Sequence, residues 1–133
     1  MYKRQIQREC KYYFVDWKES KEAVFENYVA ATLYRSVTLW HDRYGENFEL
    51  NFIRTHDGTE VDFLITKDNK PWMLIEAKEG KPEISSACYR FSHELNVPCV
   101  VVTKQNDYAR KTLGDKKQKI YQISMNRFAT RLA

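Results

Sequence analysis

The chain has 133 residues, of which 43% are hydrophobic and 30% charged, with a mean hydropathy of -0.68. These values describe one soluble globular domain, because a chain of this length buries roughly two thirds of its unfolded surface and needs no structural metal or disulfide to fold. With 4 Gly and 3 Pro, it is neither collagen-like nor linker-rich. No apolar run approaches the roughly 20 residues of a membrane span, and no signal segment is evident, so we expect a cytoplasmic protein without a membrane partner.

The first predicted elements are a strand, a helix and the start of a second strand region. Aromatic and β-branched residues at 12–15 predict a short strand. A helix follows over about 21–39, with Ser20 as its N-cap. The apolar pattern then shortens to a strand at 48–55, and Asp57-Gly58 is typical of a hairpin turn.

The second half of the chain continues the alternation and predicts an α/β domain. A strand at 61–65, a polar turn at 67–70 and a strand from Trp72 complete an antiparallel meander. Apolar residues then recur at helical spacing over 84–95. The remaining predicted elements are a buried strand over 98–103, a strand over 119–123 and a helix over 125–132.

Charge is unevenly distributed, with basic ends around an acidic middle. Residues 1–11 carry four basic groups and one acid, and residues 104–131 carry eight basic groups and two acids, which leaves ten basic and fifteen acidic groups elsewhere. This pattern suits an acidic metal centre beside a phosphate-binding surface, although solvated lysine-rich faces explain it equally well. On the first interpretation, the lysines expected to contact nucleic acid are Lys104, Lys111, Lys116, Lys117 and Lys119.

The three cysteines, Cys10, Cys88 and Cys99, are widely spaced. A zinc site would show paired ligands about two to four residues apart. We therefore expect reduced thiols that serve packing.

Acidic residues alternate along two neighbouring predicted strands. Glu60 and Asp62 share one face of their strand, and Glu76 and Lys78 share one face of the next, because strand side chains two apart point to the same side. If the strands pair, three carboxylates and one ammonium converge, a set that suits Mg²⁺ or Mn²⁺. The neighbours expected on the opposite, core face are Val61, Phe63, Ile75 and Ala77.

Glu26 lies on the apolar stripe of the first predicted helix, in line with Ala30, Leu33 and Val37. A buried carboxylate is costly unless it meets a cation or a hydrogen-bond donor. Glu26 therefore either joins the other carboxylates, pairs with a buried Arg or Tyr, or lies at the exposed edge of the stripe.

Three motifs in this order resemble the PD-(D/E)XK nuclease superfamily. They are Phe-Glu-Asn-Tyr-Val-Ala at 25–30, Glu-Val-Asp-Phe at 60–63 and Ile-Glu-Ala-Lys at 75–78. With Lys-Tyr-Tyr-Phe-Val-Asp at 11–16 and an Arg-x-x-x-Gly at 54–58, the chain is most similar to the uncharacterised C-terminal domain of prokaryotic AAA-type ATPases.

The resemblance implies a restriction-endonuclease-like α/β core, in which a mixed sheet of an antiparallel meander plus a parallel strand is flanked by helices. It also implies hydrolysis of DNA phosphodiester bonds with Mg²⁺ or Mn²⁺. Asp62 and Glu76 would bind the metal, Lys78 would orient the attacking water, and Glu26 would complete the site. Glu60 adds a further candidate ligand.

One helical position departs from the nuclease pattern. RecB-like members of the superfamily carry a Gln four residues before a Tyr, whereas this chain has Ser85 before Tyr89. Tyr89 is therefore a candidate accessory residue, with a structural role as the alternative.

Two functions remain open: a metal-dependent DNA endonuclease, and a non-catalytic nucleic-acid-binding or assembly module that keeps the nuclease fold. Residues 1–133 contain no Gly-Lys-Ser/Thr phosphate loop, so we expect one nuclease-like domain without an ATPase domain. The expected partners are DNA and either a AAA-type ATPase or a missing N-terminal domain. The sequence leaves open whether the domain is a homodimer.

Overall fold

The computed structural model describes residues 4–7, 21–55, 60–104 and 107–132, with side chains described at 24–51, 61–104 and 107–132. The strands of this part are β1 (Arg4–Gln7), β2 (Phe48–Thr55), β3 (Glu60–Lys67), β4 (Lys70–Lys78), β5 (Cys99–Thr103), β6 (Ala109–Leu113) and β7 (Lys119–Ser124). Its helices are α1 (Lys21–Tyr44), α2 (Ser86–Leu95) and α3 (Met125–Leu132).

The described strands form one mixed sheet in the order β1-β2-β3-β4-β5-β7-β6. Strands β1 to β4 pair antiparallel, β5 is parallel to both β4 and β7, and β6 closes the sheet antiparallel to β7. The predicted α/β class, the antiparallel meander and the buried parallel strand are therefore confirmed.

Local sequence explains where α1 ends and how β3 turns into β4. Gly45 follows α1 with φ of 70° and donates its amide to the carbonyl of His41 at 3.0 Å, which is a common way to end a helix. Asp68 and Asn69 both have positive φ, 52° and 66°, between the paired residues Lys67 and Lys70. Such two-residue turns match the natural twist of hairpin strands, and Asp and Asn tolerate this backbone well.

Helices cover both faces of the sheet and create two apolar layers. On one face, α1 and α3 pack against β2 to β5 and β7, and Leu33, Phe63 and Val102 are fully buried there. On the other face, α2 packs against β3, β4, β5 and β7, with Leu74 and Phe91 fully buried. The carboxylate-bearing strands β3 and β4 thus lie inside a three-layer α/β/α arrangement.

Val61 and Phe63 do not share a face, which corrects the strict alternation expected for β3. Val61 packs in the α2-side layer and Phe63 in the α1-side layer. The cause is a register shift: Asn51 of β2 pairs with Leu64, but Ile53 pairs with Val61, so β3 holds one extra residue. A bulge of this kind reverses the alternation beyond it.

Cys88 of α2 and Cys99 of β5 form a disulfide, which corrects the expectation of reduced packing thiols. Their Cα atoms are 6.4 Å apart, and both side chains are fully buried in the α2-side layer. The two thiols meet because α2 packs over the start of β5. Cys10 lies outside the described residues.

Other differences lie at the ends of the sheet. Neither β1 nor β6 was predicted, and α1 extends five residues beyond the predicted Leu39. The strand predicted at 12–15 and the turn at Asp57-Gly58 lie outside the described residues.

None of the helices in the described part is long and apolar enough to cross a membrane.

Candidate functional site

The candidate site lies at the carboxyl ends of the parallel strands. Lys78, the last residue of β4, pairs with Thr103 of β5, which pairs with Ser124 of β7, so the three strands end at the same level. Glu76 precedes Lys78 by two residues and is buried, with 6% of its surface exposed. In open α/β sheets, ligands commonly bind at this edge.

The strands β3 and β4 separate at the site, and a side chain spans the opening. Phe63 and Ile75 form the last pair of the ladder on this side. Beyond them, Oδ2 of Asp62 accepts a hydrogen bond of 2.8 Å from the backbone amide of Ala77. The carboxylate thus takes the place of a strand partner for this amide.

Asp62 is the electrostatic centre of the site. Burial raises the pKa of Asp62 from its usual 3.8 to about 8, and the negative charge of Glu26 on α1 adds to the rise. The hydrogen bond from Ala77 lowers this pKa, the charge of Glu76 raises it, and the charge of Lys78 lowers it. Without a bound cation, Asp62 therefore holds a proton at neutral pH. The structure thus brings three charged residues close enough to Asp62 to change its pKa: Glu26, Glu76 and Lys78.

Glu76 is held by Ser85, which sequence reasoning did not identify as its partner. Oγ of Ser85 donates a hydrogen bond to Glu76, 3.0 Å from Oε1 and 3.1 Å from Oε2. Ser85 is the N-cap of α2, and its Oγ accepts the amide of Cys88 at 3.1 Å. A serine directly before an amphipathic helix predicts a cap, but only the tertiary fold brings that cap to β4.

The site offers carboxylate oxygens, which are the donor type that Mg²⁺ and Mn²⁺ prefer. Within the described residues, no group of three His, Cys, Asp or Glu side chains is arranged to hold a metal ion. Mg²⁺, however, usually keeps several waters and binds one or two carboxylates plus substrate phosphates. Asp62 and Glu76 supply such oxygens, and a divalent cation would relieve the crowding that raises the pKa of Asp62. The side chain of Glu60 lies outside the described ones.

The predicted phosphate-binding lysines are distributed over three places. Lys104 lies at the site edge: its amide donates to the carbonyl of Lys78 at 3.3 Å, and its Nζ is 4.0 Å from a carboxylate oxygen of Glu79. Lys111 lies on the edge strand β6, with its Nζ 5.8 Å from the ring centroid of Tyr121. Lys104 therefore adjoins Lys78 through the backbone at the carboxyl ends of the parallel strands.

The other three lysines lie at the opposite end of the parallel strands from the carboxylates. Lys119 begins β7, five residues before Ser124, which corresponds to about 16 Å along a strand. Lys116 and Lys117 lie in the turn between β6 and β7. The structure does not bring these three to the carboxylates.

The described hydrogen bonds and cavity contacts of Tyr89 involve α2 and the turn between β6 and β7. Tyr89 packs against the α2-side layer, and its carbonyl accepts a hydrogen bond of 3.1 Å from Nε2 of Gln118. With Gly114 and Gln118, it lines a cavity of about 580 Å³ between α2 and the β6–β7 turn. Tyr89 thus lies one helical turn after Ser85, with its amide 3.3 Å from the carbonyl of Ser85, and its side chain lines this cavity.

Comparison with known proteins gives one result. The family described as a Domain of unknown function (DUF4143) matches residues 21–125. No curated protein and no solved structure matches the chain. The matched range includes every side chain that forms the site.

Proposed function

Since the chain belongs to the family Domain of unknown function (DUF4143), we propose its function from the site: a metal-dependent nuclease that hydrolyses DNA phosphodiester bonds on a PD-(D/E)XK-like core. The observation that carries the proposal is the raised pKa of the buried Asp62 carboxyl. Its pKa is raised to about 8 at the opening between β3 and β4, beside the buried Glu76 and the cation of Lys78. Strongly perturbed carboxylates at a sheet edge are typical of functional sites.

Asp62 and Glu76 would hold the Mg²⁺ or Mn²⁺, as the PD-(D/E)XK resemblance also implies. The bound ion supplies Lewis-acid stabilisation of phosphate charge and a more acidic water. The positive charge of Lys78 lowers the pKa of Asp62, and in this proposal Lys78 orients the attacking water and stabilises negative charge that develops on the phosphate. Glu26 adds negative charge from α1 and so makes the site without a cation less favourable.

DNA is the proposed substrate because a polyanion matches the distribution of lysines. Lys104 offers one cation beside Lys78 at the site edge. Lys116, Lys117 and Lys119 are exposed and offer more at the other end of the parallel strands, about 16 Å along β7 from its carboxyl end. A nucleic acid carries phosphates over such a distance, whereas a small phosphate ester reaches only the site.

A plasmid-nicking assay tests the proposal. Wild type with Mn²⁺ is expected to nick supercoiled plasmid, and EDTA to stop the reaction. Glu76→Gln and Lys78→Ala should each lower the rate by at least about a hundredfold, the scale for one positioned electrostatic group. The exposed residues Glu94 and Lys70 provide matched controls, Glu94→Gln and Lys70→Ala, which should cleave like wild type. Equal nicking by all five proteins would show that the activity belongs to a contaminant.

The second candidate function is a non-catalytic nucleic-acid-binding or assembly module in a AAA-type ATPase system. The arrangement of the carboxylates favours it: Ser85 holds Glu76, Ala77 holds Asp62, and the described side chains include no three-ligand cluster. DNA binding by wild type that is equal in EDTA and in Mn²⁺, together with no cleavage, would support the module.

A further inference from the structure

We propose that Ser85 is a positioning residue for Glu76, which fixes the orientation of this carboxylate for metal binding. The inference rests on the proposed function, because it assigns Ser85 a role at the same metal site. It goes beyond that function in naming a residue outside the carboxylate and lysine set.

The hydrogen bonds of Ser85 define the direction of its hydroxyl. A serine hydroxyl has one hydrogen to donate and two lone pairs to accept. One lone pair accepts the amide of Cys88 at 3.1 Å. The hydrogen is directed to the fork of the Glu76 carboxylate, 3.0 and 3.1 Å from its two oxygens. The helix cap therefore sets which way the hydroxyl points.

Ser85 is itself anchored on two sides. Its backbone has the extended geometry of an N-cap, with φ of -74° and ψ of 158°. Cys88, whose amide holds the Ser85 oxygen, is linked by the disulfide to Cys99 of β5. Cys99 pairs with Leu74 of β4, the strand that carries Glu76. The residue that supports Ser85 is thus linked through β5 to β4, the strand that carries Glu76.

A fixed carboxylate is a better metal ligand than a mobile one. An ionised carboxylate has about four acceptor positions, so a single hydroxyl at its fork leaves others for a cation. Groups that hold a ligand in place typically contribute about 10- to 100-fold to metal affinity. Loss of the Ser85 hydroxyl should therefore weaken metal binding even though Ser85 does not touch the metal.

Two substitutions separate the hydroxyl from the helix cap. Ser85→Thr keeps both. Ser85→Gly removes the hydroxyl but keeps most of the capping, because Gly at an N-cap costs only about a few tenths of a kcal/mol relative to Ser. Ser86→Gly removes the hydroxyl of the next, exposed residue and is the matched control.

The test is the affinity for Mn²⁺ measured by calorimetry, together with the melting temperature of each variant. We expect Ser85→Gly to bind Mn²⁺ about 10- to 100-fold more weakly than wild type. Ser85→Thr and Ser86→Gly should bind like wild type, and all three variants should melt close to it. Equal affinity of the Thr and Gly variants, whether both unchanged or both weakened, would overturn the positioning role.

Failure of the proposed function gives a different result, in which wild type itself binds no Mn²⁺. The contact is then tested by a double-mutant cycle of unfolding stability with Ser85→Gly and Glu76→Gln. Non-additive stabilities would support the Ser85–Glu76 contact without a metal role. Additive stabilities would overturn the contact and the inference with it.

Discussion

The carboxylate of Asp62 accepts a hydrogen bond of 2.8 Å from the amide of Ala77 at the point where β3 and β4 stop pairing. A side chain thus satisfies a backbone donor that would otherwise need a strand partner. This contact gives Asp62 a structural role in addition to its proposed role as a metal ligand.

Substitutions of Asp62 should separate these two roles. Asp62→Ala leaves the Ala77 amide without its acceptor and should lower the free energy of unfolding by about 1–3 kcal/mol. Asp62→Asn keeps an acceptor oxygen and, like the protonated Asp62, carries no charge in its buried position, so at neutral pH without metal it should be about as stable as wild type. Urea unfolding in EDTA measures both variants. Equal destabilisation by Ala and Asn would contradict the hydrogen-bond role.

The raised pKa of Asp62 predicts that the metal-free domain loses stability as the pH rises. The folded form binds the proton more tightly than the unfolded chain, because the pKa is about 8 in the fold and 3.8 ordinarily. The resulting stabilisation is on the order of a few kcal/mol. It is fully present below a pH of about 4 and is lost as the pH rises to about 8.

Comparison with Asp62→Asn isolates this contribution from other titrating groups. The difference in unfolding free energy between the two proteins, measured in EDTA from about pH 5 to 9, should shift toward the Asn variant as the pH rises. A difference that does not change with pH would show that Asp62 is ionised throughout.

The positions of the lysines predict separate effects on binding and cleavage. Replacing Lys116, Lys117 and Lys119 together by Gln should flatten the log-log dependence of DNA affinity on salt by about two to three units. Lys104→Gln should lower cleavage at saturating DNA more than this triple variant, because Lys104 lies beside Lys78. Fluorescence anisotropy across a salt series measures the slopes. An unchanged slope in the triple variant would show that these three lysines are solvated and do not contact DNA.

The disulfide predicts one free thiol in a chain with three cysteines. Cys88 and Cys99 are bonded, so a thiol reagent should modify only Cys10 after unfolding without reductant. Reduction should lower the free energy of unfolding by about 2–3 kcal/mol, given a closed loop of this short length. The Cys88→Ala/Cys99→Ala double variant is the control and should not respond to reductant. Three reactive thiols in the unfolded wild type would contradict the bond.

Much of the fold follows from residues with a strong local pattern. Val29, Ala30 and Leu33 are fully buried, as the helical stripe predicts. All five residues of β5 are buried, in agreement with the continuous apolar run at 99–102. These elements were predictable because burial on one helix face or on both strand faces requires a matching sequence pattern.

The features that the sequence does not predict lack such a pattern. Strand β6 is an edge strand, and four of its five residues are exposed, so Ala109–Leu113 shows no apolar alternation. The bulge in β3 inserts one residue without any change in composition. The hydrogen bond from Ser85 to Glu76 and the pairing of Cys88 with Cys99 depend on how α2 packs on the sheet, which no local pattern specifies.

Calorimetric titration of the domain with Mn²⁺ at pH 7, in two buffers of different ionisation enthalpy, tests the proposed metal site most directly. Because the pKa of Asp62 is about 8, a metal that binds its carboxylate must displace a proton. Wild type and Lys78→Ala should bind Mn²⁺ with release of about one proton, whereas Asp62→Asn should lose the proton release and most of the affinity. No heat of binding at millimolar Mn²⁺, or identical titrations of wild type and Asp62→Asn, would contradict the site.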